Sequence, residues 1–153
     1  MLPNDVLRSL RYLLDISDAE LAAIAQLADA AISSEAIAAY LCNDDEEGFE
    51  PCSDAVLGAV LDGLIVHRRG RDDSRAPQPL ELPLSNNTIL KKLRVAFELK
   101  EEDMHAILDA AEFPLSKPEL SALFRKPGHH NYRPCGDQLL RKFLKGLTLR
   151  ERR

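Results

Sequence analysis

The chain has 153 residues, 45% of them apolar, a size and balance that suit one domain or two small ones and exclude wholesale disorder. Only 5% are aromatic and Trp is absent, which argues against a stacking surface for bases or sugars, and the formal net charge is −5. No apolar run approaches the ~20 residues that span a bilayer, so no membrane partner is expected. The opening MLPNDVLRSLRYLL lacks the basic-then-apolar plan of a signal peptide, and three cysteines, an odd number, are expected as reduced thiols in the cytoplasm.

In chain order, Asn4 is placed to cap a first helix over 5–15, with Val6, Leu7, Leu10, Leu13 and Leu14 on one face. Ser17 and Glu20 have capping-box spacing ahead of an Ala-rich helix to about Ala30, whose small side chains permit close contacts. Ser33 can cap a short helix to about Cys42. The acidic run NDDEEGFEP leads into PCSDAVLGAVLDGL, where Val56, Leu57, Val60, Leu61, Leu64 and Ile65 repeat at the helical period. Residues 71–86 then read as a Pro-rich linker, expected to cross the surface and let the second half of the chain dock on the first.

Beyond the linker the same pattern returns. Sliding the sequence by 83 residues without a gap lays Asn4, Leu7, Leu10 and Arg11 on Asn87, Leu90, Leu93 and Arg94, Ile24 on Ile107 and Ser33 on Ser116. Pro51, Cys52, Asp54, Leu57, Leu61, Gly63 and Leu64 fall on Pro134, Cys135, Asp137, Leu140, Leu144, Gly146 and Leu147. Residues 4–70 and 87–153 share 17 identities in 67 ungapped positions, which marks two copies of one fold. Ser116, Pro118 and Glu119 form a second capping box with proline in the first turn. No stretch alternates as a strand would. The expected architecture is all-α: a four-helix unit over 1–70, the linker 71–86, and a second unit over 87–153, packed around a pseudo-two-fold.

The paired motifs NDVLRSLRYLL and DEEGFEPCSDAVLGAVLDGLIVHRRG, followed by NNTILKKLRVAFELK and NYRPCGDQLLRKFLKGL, resemble the YehS-like family of bacterial proteins, which carry two tandem copies of a domain of unknown function. The resemblance covers nearly the whole chain. It implies a cytoplasmic protein and carries over no catalytic residue, because none is established for the family.

Candidate chemistry is sparse. Cys52 and Cys135 each precede an Asp at a helix entry, where a macrodipole can favour thiolate. The nearest His in the first copy, His67, lies roughly 20 Å along the same helix, so packing is the expected role. Asn43, Asp45, Glu47, Gly48 and Asp54 fit part of a calcium-loop spacing, but Glu50 and Pro51 break it and a solvated acidic loop is expected. His129, His130 and Cys135 lack a fourth zinc ligand, and adjacent histidines are expected to point apart. His105 reads as a polar-face residue, and Gly63 and Gly146 as close helix contacts. No catalytic residue, metal or cofactor is expected.

Charge separates the copies. Residues 1–70 hold 4 Lys/Arg against 13 Asp/Glu, a net of −9, whereas 87–153 hold 14 against 9, a net of +5. Gly58, Ala59 and Asp62 in the first copy become Arg141, Lys142 and Lys145 in the second. The basic set, Lys91, Lys92, Arg94, Arg133, Arg141, Lys142 and Lys145 with the terminal RERR, is the candidate binding surface. The expected function is a non-enzymatic helical adaptor, binding another protein or itself. Nucleic-acid binding through the basic copy is the alternative, with a metal-dependent or thiol activity behind it.

Overall fold

The computed structural model describes residues 1–71 and 80–152, which among them form eight helices and no strand. The fold is all-α, with two tandem four-helix units spanning Met1–Leu84 and Ser85–Arg153. The first holds α1 (Pro3–Leu14), α2 (Asp18–Gln26), α3 (Ser34–Leu41) and α4 (Asp54–Arg69). The second holds α5 (Asn86–Ala96), α6 (Glu101–Ala110), α7 (Lys117–Leu123) and α8 (Asp137–Glu151). Half of the stretch read as a linker, residues 72–79 of 71–86, lies outside the described residues. No described helix is long and apolar enough to cross a membrane.

Each unit buries the faces its periodicity marks. In the first, Val6, Leu7 and Leu10 of α1, Leu21 and Ile24 of α2, Ile37 of α3 and Leu57, Val60, Leu61 and Leu64 of α4 are buried, with α4 packed on α2 and α1. In the second, α8 packs on α6 and α5, and Phe143 is fully enclosed. A close helix–helix approach in each unit is at a glycine. A methyl group on Gly63 would overlap the Ile24 carbonyl, and one on Gly146 would overlap the Ile107 carbonyl. The backbones of α2 and α4, and of α6 and α8, are close enough that only glycine fits between them.

Local signals set the helix starts. Ser17 accepts the Glu20 N–H at 3.1 Å and Ser116 accepts the Glu119 N–H at 3.2 Å, each with the glutamate reaching back. Ser33 caps α3 through the Ala36 N–H at 3.1 Å. Helix ends are also shared. Asp15 and Glu98 (φ 54° and 53°), and Asp29 and Glu112 (φ 61° and 59°), take left-handed backbone at matched positions. After each, the next N–H bonds five residues back, as Ala30 does to Ala25 and Phe113 to Leu108, which closes the helix in a Schellman turn.

Two expectations are corrected. The Ala-rich helix stops at Gln26 rather than near Ala30, because the Asp29 turn intervenes. Asn4 is no cap: α1 begins at Pro3, with Leu2 ahead of it and Asp5 accepting the Leu2 N–H, and Asn4 is only 1% exposed inside the unit.

Candidate functional site

The shared interior is built on that buried asparagine. Asn4 donates through Nδ2 to the carbonyls of Tyr40 and Glu50, both at 2.9 Å, and accepts the Cys52 N–H through Oδ1 at 2.9 Å. Asn87 repeats this with Leu123, Arg133 and Cys135 at 2.9, 2.9 and 2.8 Å. One carboxamide thus ties the first helix of each copy to the third helix and to the segment entering the fourth. Three backbone groups that would otherwise be buried without partners are satisfied at once.

Cys52 and Cys135 belong to this framework. They are 5% and 6% exposed. Burial pushes each thiol up to about 11, with Asp54 or Asp137 at the helix entry adding to the effect. Each Sγ lies near the next residue's carbonyl, Ser53 at 3.5 Å and Gly136 at 3.6 Å. Desolvation outweighs the helix-entry position, and at neutral pH both sulfurs are protonated and poor nucleophiles.

The copies part company on the outward row of their last helix. In the first copy, Leu80 covers Gly58 so closely that a Cβ there would overlap the leucine side chain. One turn back, Asp54 Oδ2 accepts the Leu84 N–H at 2.9 Å. Residues 80–84 therefore form a strap running antiparallel to α4. In the second copy the positions matching Gly58 and Asp62 are Arg141 and Lys145, both exposed, with Lys142 half-buried beside them. Further along, at the position of Val66, Leu149 is 50% exposed.

The seven candidate cations are not one surface. Arg94 donates through Nε to the Leu99 carbonyl at 3.1 Å, and its guanidinium lies 4.7 Å from the centre of the Phe124 ring. Arg133 is paired with Glu119 at 3.1 Å. Both serve the second unit's own structure. Lys91 is exposed and Lys92 half-buried on α5, which packs against α8. Arg141 and Lys145 are the two that share one exposed row, a turn apart. Of the terminal cations, Arg150 bonds Asp103 at 3.1 Å, and Arg153 lies outside the described residues. The Asp103 carboxyl is held below the ordinary range, chiefly by the Lys100 N–H and further by Arg150.

The other candidates have different employment. Asp54, the last member of the calcium-type spacing, is occupied by the strap. His129 and His130 do not point apart: their rings stack with centroids 4.6 Å apart, while Cys135 is buried. His105 is less exposed than a polar-face residue would be, with Nε2 buried and 3.9 Å from Glu101 Oε1. Among the described residues no group of three or more His, Cys, Asp or Glu side chains comes together that could hold a metal.

Two repeats with one framework and one offset match a known family model twice, over residues 3–70 and 86–153, described as a protein of unknown function (DUF1456). The chain belongs to the DUF1456 family. A relative, the uncharacterized protein YehS of Escherichia coli (strain K12), is 47% identical over 151 residues, covering 99% of this chain and 97% of the relative. No solved structure matches the chain. The strap residues 80–84 lie between the two DUF1456 spans, so the Leu80 contact is an addition to the repeat and no part of it. The asparagine framework belongs to both DUF1456 copies. Its sequence signal was the identity of Asn4 with Asn87 and of Cys52 with Cys135 at one offset.

Proposed function

We propose that this protein is a non-enzymatic helical adaptor that holds an acidic partner against the outward row of α8, in the cytoplasm. The observation that carries the reading is a matched row with opposite chemistry, Gly58, Ala59 and Asp62 against Arg141, Lys142 and Lys145, on two copies whose buried framework is the same. Gly58 is buried beneath Leu80, so the fold itself accounts for that glycine, whereas Arg141 and Lys145 stand exposed on α8, which favours a binding role for those cations. Protonated, buried thiols support a role without covalent chemistry. Three free cysteines support a reducing compartment.

The test is affinity capture from native cells with the wild-type chain and R141E/K142E/K145E. An acidic partner held by the wild type and lost from the variant supports the adaptor reading; equal retention overturns it. Arg141 and Lys145, a turn apart at exposed positions of α8, favour nucleic acid as the second reading. A captured partner destroyed by nuclease would select it. The net charge of −5 and the few aromatics weigh the other way.

A further inference from the structure

In the α4 row matched to the basic row of α8, the first turn, from Asp54 to Gly58, is already covered by a peptide. Leu80 seals Gly58 with its side chain, and Leu84 is held at the start of α4 by a hydrogen bond from its backbone N–H to Asp54. Side-chain and main-chain contacts together are how a groove or helix face reads an extended segment. The strap's own sequence, LELPL, is apolar with one acid.

On α8 the corresponding row begins with Asp137, the match of Asp54, whose carboxylate accepts the Asn86 side chain at 2.8 Å and lies in the field of Arg141; beyond it Arg141 and Lys145 are exposed where the first copy has Gly58 and Asp62. Arg141 stands where Gly58 receives Leu80, so the space a leucine fills in the first copy is taken by a guanidinium-bearing side chain. A carboxylate is the complementary group at that point. Lys145 repeats the demand one turn on, and Leu149, half exposed in the same row, offers an aliphatic contact that a phosphate backbone does not use. From position 141 to 149 the helix rises about 12 Å, the reach of about four residues of extended chain.

Resting on the reading of α8 as the binding face, we propose that this row takes an extended acidic and apolar peptide segment of another protein, with carboxylates on Arg141 and Lys145 and an aliphatic side chain on Leu149.

The experiment is fluorescence anisotropy with the full chain and short labelled peptides in which Glu alternates with Leu, Glu with Ser, or Lys with Leu, beside mixed-sequence single-stranded RNA. The variants are R141E/K145E and L149S, all at exposed positions, with circular dichroism confirming unchanged helix. The Glu/Leu peptide is expected to bind about tenfold tighter than the other two, and R141E/K145E to weaken it about tenfold. L149S is expected to remove the difference between Glu/Leu and Glu/Ser. Equal binding of Glu/Leu and Glu/Ser, or indifference to R141E/K145E, overturns the peptide proposal. RNA binding without peptide binding also overturns it while leaving α8 as the face for an acidic partner. No binding of any probe at low salt, with native capture unaffected by R141E/K142E/K145E, overturns both.

Discussion

Asn4 Oδ1 accepts the backbone N–H of Cys52 at 2.9 Å, and 83 residues later Asn87 does the same for Cys135 at 2.8 Å. Side-chain amides with three backbone partners each are what the two copies have most closely in common. Replacing Asn4 with Ala strands the Cys52 N–H and the carbonyls of Tyr40 and Glu50 in the interior, at a cost of about 3 kcal/mol. Asn4→Asp keeps the acceptor but turns a second oxygen on two carbonyls, so it destabilises more at neutral pH than in acid. Urea unfolding checks both through a lower midpoint at unchanged slope. A midpoint that stays put would show that water replaces the amide without loss.

The glycines in the last helices make a sharper contrast. Gly146→Ala gains helix propensity of about 1 kcal/mol but drives a methyl into the Ile107 carbonyl, which is backbone and cannot step aside. A net loss of about 2 kcal/mol is expected, and the same for Gly63→Ala against Ile24. Gly58→Ala meets only the end of the Leu80 side chain, which can move, and is expected to be neutral within about 0.5 kcal/mol. Thermal unfolding of the three variants ranks them; a Gly58→Ala loss as large as the others would mean that the strap is rigid.

The thiols set a pH window. Folding raises the pKa of Cys52 and Cys135 from 9.0 to about 11, so the folded chain holds these protons more tightly than the unfolded one. Their contribution to stability is complete below pH 9.0 and is lost as pH rises towards about 11. Thiol labelling at neutral pH should reach half-buried Cys42 first and Cys52 and Cys135 only on unfolding. Rapid modification of Cys52 in the folded chain would contradict the burial argument.

Helix ends offer a gain. Glu112 is exposed, has φ 59° and closes α6 through the Phe113 N–H to Leu108 bond, a position that glycine occupies without Cβ strain. Glu112→Gly is expected to raise stability by about 0.5–1 kcal/mol, net of the glycine's added freedom when unfolded. A higher melting temperature checks it. A drop would mean that the carboxylate contributes more than its backbone costs.

The residues involved explain how much of this was legible in sequence. Ser17 with Glu20, and Ser116 with Glu119, announce helix starts because donor and acceptor sit three residues apart. The apolar period of α4 and α8 announces their buried faces for the same local reason. Asn4 misleads, since an Asn ahead of an apolar stripe has the chemistry of a cap, whereas its partners lie 36, 46 and 48 residues away. Gly58 misleads in the opposite direction: beside Arg141 it looks like a bare surface position, and only the chain's return at Leu80 shows that it is a seat. Of the candidate cations, Arg94 packs on Phe124 and Arg133 pairs with Glu119 on the surface, which spacing along one helix does not reveal.

The strap also gives the tandem a direction. The segment after the first copy carries a leucine seated on Gly58, where the second copy has Arg141. A gene rearranged to encode the two copies in reverse would put LELPL beside a helix with an arginine in place of that glycine, and would leave the glycine helix bare. The duplication has ceased to be symmetrical in a directional sense: its halves are no longer interchangeable modules, and the joint between them reads only one way.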